Sequence, residues 1–146
     1  MIRPALYAEN LQRKNSDALG FIPRSALQRY EHNNQIIIET EGGDECGFLI
    51  YGKRWPDMTI AQACIDYDVR RQKHGMNLVD QLITIAKKRH ESITLRCREN
   101  LDANRFWKAS GFNLIGSVQG GSHAGTSRMI NIWKYDVKEP FQLRLI

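Results

Sequence analysis

The sequence predicts a mixed α/β fold, a central sheet with helices packed against it. Three observations carry that expectation. Two β-branched or aromatic runs, Gln35–Thr40 and Cys46–Tyr51, flank a turn at Glu41-Gly42-Gly43-Asp44 and read as an antiparallel hairpin. The stretch Ile60–Val69 alternates, with Ala63, Ile65, Tyr67 and Val69 on one face and Cys64, Asp66 and Asp68 on the other. It leads into Met76–His90, where Leu78, Val79, Leu82, Ile83 and Ala86 recur at helical spacing. A strand, a helix and another strand in that order imply some parallel pairing across a helical crossover.

The other elements follow in order. Ala18–Tyr30 reads as one or two short helices broken near Pro23, with Ser16 or Asp17 as a cap. Trp55-Pro56-Asp57 marks a loop. Lys87, Lys88 and Arg89 close the main helix, where positive charge complements the helix dipole. Ser92–Arg98 is a short strand. Leu101–Ser110 is a second amphipathic helix, and Gly111 is its expected C-cap. Phe112–Val118 and Arg128–Tyr135 are the last strands, separated by the Gly-rich loop Gln119–Ser127. The alternating end Phe141–Ile146 is a further strand, a segment that pairs with another chain, or a loose tail.

A chain of 146 residues is enough for one domain, and neither a repeat nor a linker divides it, so residues 1–146 are expected to form a single domain. Its hydrophobic share of 42% and charged share of 25% are those of a globular protein, which sets aside collagen, coiled coil and extended disorder. Apolar runs such as Gly47–Gly52 are too short to span a bilayer, so no membrane partner is expected. The N-terminal stretch turns polar within a few residues and lacks the apolar core of a secretory signal. Cys46, Cys64 and Cys97 stand at wide spacing, which opposes a disulfide framework or a zinc site. A cytoplasmic protein without a metal is the expectation.

The net charge of +5 is unevenly placed. Eight of the 21 basic residues but only two of the 16 acids lie between Arg70 and Arg98. Such a focus points to one anionic ligand, or to the solvated face of a helix. The junction Val69–Leu78 is where chemistry gathers. A strand ends, a basic loop with one glycine follows, and a helix begins. Free N–H groups and the dipole at a helix start bind phosphate. Gln72, Lys73 and His74 add donors. An ordinary strand–helix turn using Gly75 has the same residues. Other phosphate and catalytic motifs fail: Gly120 and Gly125 have Walker spacing but Thr126 follows in place of the lysine, and no GxGxxG, HExxH or GxSxG occurs.

Taken with Leu95–Phe112, this junction resembles the GNAT N-acetyltransferase family. That family's loop is Gln/Arg-x-x-Gly-x-Gly/Ala between a strand and the long helix. Gln72 and Gly75 occupy fixed positions, Lys73, His74 and Met76 fill the free ones, and Asn77 departs. Downstream, Asn100, Ala103, Trp107, Gly111 and Phe112 fall on the family's second spacing. The order of elements from Ala18 to Tyr135 also agrees.

The resemblance implies a mostly antiparallel sheet with splayed strands, acetyl-CoA as co-substrate, and direct acetyl transfer to a primary amine of a small molecule or peptide. It implies that the pantetheine arm pairs with backbone at Tyr67 and Val69, that the pyrophosphate sits on Gln72, Lys73, His74, Gly75, Met76 and Asn77, and that Asn104 touches the arm. A homodimer is a further implication. Trp107 stands where many members carry a tyrosine that protonates the leaving thiolate, and an indole N–H is no general acid near neutral pH. The base is unassigned, with Asp66, Asp68 and Glu99 as candidates. Phe21, Tyr30, His123 and Arg128 are candidates for the acceptor side.

Two other readings stand beside this one. Asn77 and Trp107 are also compatible with a coenzyme-binding domain of weakened catalysis. The isoelectric point of about 9.3 suits a nucleic-acid-associated module. No helix-turn-helix or zinc-finger pattern supports the latter, and the aromatics do not interleave with the basic residues.

Overall fold

The computed structural model describes residues 3–16, 19–54, 56–66, 73–89, 91–120 and 129–137. They form α1 (Pro4–Lys14), α2 (Arg24–His32), β1 (Ile36–Glu41), β2 (Asp44–Arg54), β3 (Asp57–Ile65), α3 (His74–Arg89), β4 (Ile93–Arg98), α4 (Ala103–Ala109), β5 (Asn113–Gln119) and β6 (Met129–Tyr135). The fold is a mixed α/β one. Its mostly antiparallel open sheet has strand order β1-β2-β3-β4-β6-β5. Neighbours β3 and β4 are joined through α3, the helical crossover the sequence predicts. Among the described residues no helix is long and apolar enough to cross a membrane.

The chain gathers into two compact units, Met1–Gly52 with Ile60–Leu82, and Lys53–Thr59 with Ile83–Ile146.

The first unit holds α1 and α2. Helix α1 lies upstream of the region expected to be helical, and Pro4 begins it with the fixed φ suited to a first turn. The Ala5 N–H, one of the orphan donors of that turn, is taken by Glu31 Oε2 from α2 at 2.7 Å. Leu19–Pro23, expected within a helix, is not helical. Its backbone is held by side chains instead. Gln12 Nε2 donates to the Ile22 carbonyl at 3.3 Å, and the Ile22 N–H returns a bond to Gln12 Oε1 at 3.1 Å. Ser16 lies in a turn, and Asp17 lies outside the described residues.

Ala5, Ala8 and Leu11 of α1 and Leu27 of α2 pack with Phe48, Ile50 and Cys64. The hairpin of β1 and β2 turns through Gly42 and Gly43 at φ +60° and +91°, the geometry of a two-residue hairpin loop. In β3 the two faces named from the alternation differ in burial. Met58, Ile60, Gln62 and Cys64 are the buried positions, and Ala63 and Ile65 are only partly buried. A polar residue fits the buried row because Gln62 Nε2 donates to the Gly20 carbonyl at 2.8 Å.

In the second unit β6 pairs antiparallel with both β4 and β5. Helix α4 ends as the sequence predicts. Gly111 takes φ +94°, its N–H bonds the Lys108 carbonyl, and the Phe112 N–H bonds the Trp107 carbonyl. That double closure is a Schellman motif. The Trp107 and Phe112 rings meet edge-on at 5.3 Å, supplying the apolar contact that accompanies it. The spacing of Trp107, Gly111 and Phe112 is therefore the signature of a helix stop.

The three cysteines are buried and form no disulfide, Cys46 and Cys64 in the first unit and Cys97 in the second. Burial raises the pKa of Cys46 and Cys97 above the ordinary thiol value. The loop 121–127 and the end 141–146 lie outside the described residues.

Candidate active site

The start of α3 is tied to β1 by polar side chains. Lys73 precedes the helix at φ +66°, a left-handed conformation that side chains rarely adopt. The Asn77 N–H donates to the Lys73 carbonyl at 3.0 Å and closes the first turn. Gly75 and Met76 are partly buried, and Lys73 is exposed.

His74 and Asn77 are side chains of this turn, and both reach β1. His74 is only 9% exposed, and its Nδ1 lies 2.9 Å from Glu39 Oε2. Asn77 Nδ2 donates to the same oxygen at 2.8 Å. The His74 Nε2 is buried without a hydrogen-bond partner, with Glu41 Oε2 3.7 Å away. The hydrogen bond to Glu39 raises the His74 pKa above its usual value, against desolvation and with help from the Glu41 charge. Glu39 was not singled out by the sequence. Its signal is a carboxylate that shares a strand face with Ile37 in an otherwise Ile-rich run.

The residues present fit a phosphate-bearing ligand. The turn offers the positive end of a helix dipole and the Lys73 ammonium, while Asn77, the departure from the family spacing, turns its amide to β1. Of the expected pyrophosphate set, Lys73, His74, Gly75, Met76 and Asn77 belong to one loop and helix turn. Gln72, and the expected arm contacts Tyr67 and Val69, lie outside the described residues.

Asn104 is committed within its own unit. Its Nδ2 donates to the carbonyls of Arg98 and Leu101, each at 2.8 Å, and its Oδ1 accepts from Asn131 Nδ2 at 3.1 Å and Trp133 Nε1 at 2.9 Å. These bonds tie α4 to β6 and to the end of β4. Trp107 is 6% exposed, edge-on to Phe106 and Phe112.

Among the candidate bases, Asp66 is half-buried just past β3, its N–H bonded to the Cys46 carbonyl at 2.7 Å. Glu99 is exposed past β4, its N–H bonded to the Met129 carbonyl at 3.0 Å. Asp68 lies outside the described residues, as do His123 and Arg128. Of the acceptor-side candidates, Phe21 is 82% exposed between α1 and α2. Tyr30 instead packs against the core beneath α1 and α2. Among the described residues no His, Cys, Asp and Glu side chains gather into a set for a metal ion.

Comparison with known proteins gives one consistent result. Residues 9–129 match the profile of the acetyltransferase (GNAT) domain. The fold is similar to that of the ribosomal-protein-S18-alanine N-acetyltransferase of Escherichia coli, with a TM-score of 0.71, 19% identity, and coverage of 92% of this chain and 88% of that one. It is similar to Ard1 of Thermoplasma volcanium, with a TM-score of 0.74, 17% identity, and coverage of 90% and 92%. It is also similar to yncA of Salmonella typhimurium, solved with its cofactor acetyl-CoA, with a TM-score of 0.75, 13% identity, and coverage of 93% and 90%. No curated protein matches in sequence.

Proposed function

Because the chain belongs to the acetyltransferase (GNAT) domain family, we propose that it transfers an acetyl group from acetyl-CoA to a primary amine of a small molecule or peptide. The single observation that carries this reading is the first turn of α3, where Lys73–Asn77 presents a helix start with the family's glycine in it. The coenzyme supplies an activated thioester. The chain's part is to hold its phosphates on that turn, with Lys73 as a countercharge and the positive end of the helix dipole facing the anion.

Transfer is direct. The amine nitrogen bonds to the thioester carbonyl carbon, the C–S bond breaks, and the coenzyme leaves as a thiol after gaining a proton. The amine's proton goes to a carboxylate or to water. Of the candidate bases named from the sequence, Asp66 and Glu99 lie among the described residues. Trp107 is excluded as the acid by chemistry, since its indole does not give up a proton near neutral pH. The leaving thiolate then takes its proton from water or another group.

A thermal melt with saturating acetyl-CoA tests the coenzyme step. Ligand at a hundredfold over its dissociation constant adds about 2.7 kcal/mol, and a shift of roughly 5–10 °C is expected. No shift at millimolar acetyl-CoA overturns the reading. With binding in hand, release of free thiol across an amine panel identifies the acceptor.

A further inference from the structure

We propose that Glu39 is a positioning residue for coenzyme binding, fixing the first turn of α3 through His74 and Asn77. The inference rests on the acetyl-CoA reading above and adds a residue from a distant strand to it.

One carboxylate oxygen does the gripping. Glu39 Oε2 meets His74 Nδ1 at 2.9 Å and Asn77 Nδ2 at 2.8 Å. His74 and Asn77 are three apart on a helix, so they share one face, and they bracket Gly75 and Met76. The turn expected to meet phosphate is thereby clamped from behind at both ends. Glu39 itself is 9% exposed. A carboxylate at such a place costs free energy unless donors satisfy it. An apolar residue would pack there more cheaply if packing were the whole task. The strand register shifts between Glu39 and Thr40, an irregularity of the kind that re-aims side chains.

The clamp also accounts for Asn77. A glycine or alanine at that position has no side-chain donor for Glu39. The asparagine and the glutamate therefore form one device. Lys73, at φ +66°, is held beside the turn in a conformation that a free loop would relax. A turn fixed before the ligand arrives loses less freedom on binding, and affinity rises.

The charges facing His74 are Glu39 and Glu41 from β1, with Lys73 adjoining it in the chain. A protonated His74 forms an ion pair with Glu39, and a neutral one keeps only a hydrogen bond. The clamp is thus tighter at low pH.

The test is calorimetric titration of the full chain with acetyl-CoA at pH 6 and pH 8.5. It uses the unaltered protein, Glu39→Ala, Glu39→Gln, Asn77→Ala and the Glu39→Ala/Asn77→Ala double variant, each with a ligand-free melt. Glu39→Ala is expected to raise the Kd by about tenfold. Glu39→Gln, which keeps the shape and one acceptor, is expected to fall between, and to lose more at pH 6 than at pH 8.5. The double variant is expected to bind no worse than Glu39→Ala alone, since both changes open the same clamp. An unchanged Kd in a folded Glu39→Ala or Glu39→Gln protein overturns the proposal, as do fully additive losses. Absence of binding by the unaltered chain overturns the coenzyme reading, and this inference with it.

Discussion

The side-chain oxygen of Asn104 on α4 accepts the indole N–H of Trp133 on β6 at 2.9 Å. Its amide nitrogen meanwhile serves the carbonyls of Arg98 and Leu101. Asn104→Ala leaves these partners unsatisfied and is expected to cost about 2–3 kcal/mol. Asn104→Asp is expected to cost at least as much, because a carboxylate oxygen then faces two carbonyls. The urea midpoint measures both. A role confined to the coenzyme arm would instead weaken acetyl-CoA binding and leave the midpoint in place.

Trp107 is packed rather than presented for chemistry. Trp107→Ala is expected to lose about 3–5 kcal/mol, and Trp107→Phe much less. Acetyl transfer by Trp107→Phe is expected within about twofold of the parent, since no proton passes through the indole. A large fall in kcat with an unchanged melt would return Trp107 to the reaction.

Gly47 sits where β2 passes close to β3. A methyl group there would meet the Ile65 side chain and stand 2.9 Å from the Cys64 carbonyl oxygen. Gly47→Ala is expected to cost about 1–3 kcal/mol, read from the melting temperature. Gly111→Ala is expected to lose roughly 1–2 kcal/mol for a different reason, the positive φ of the helix stop.

The Glu39–His74 contact makes stability depend on pH. The folded pKa of His74 is raised, chiefly by the hydrogen bond to Glu39. Its contribution is therefore fully present below the unfolded value of about 6.5 and is lost as pH rises through the folded value. The urea midpoint of the parent should fall over that window relative to His74→Gln. A parallel pH profile in the two proteins would show that the contact adds no linkage.

Local patterns made much of the fold legible. The apolar stripe of Leu78, Val79, Leu82 and Ala86 marked α3, and Gly42-Gly43 marked the hairpin. Gly111 marked the end of α4. Helix α1 escaped because its buried side is Ala5, Ala8 and Leu11, two of them small, in a polar stretch. Pro4 was its only start signal. The burial of Gln62 escaped because its partner is Gly20, a residue 42 positions away. Gly75, expected in a loop ahead of the helix, lies inside the first turn of α3. Glu39 was not legible, since its partners lie 35 and 38 residues downstream and no local pattern joins them.

The buried thiols give each unit its own clock. Cys46 and Cys64 belong to one unit and Cys97 to the other, and burial holds the thiols of Cys46 and Cys97 in the protonated, unreactive form. A thiol reagent modifies them only when the surrounding structure opens. Site-resolved labelling rates then report how often each unit breathes. Matched rates at Cys46 and Cys97 would mean that the whole chain opens in one cooperative event. A faster rate at either one would identify the unit that gives way first, and acetyl-CoA would slow that clock in proportion to how much of the opening it forbids.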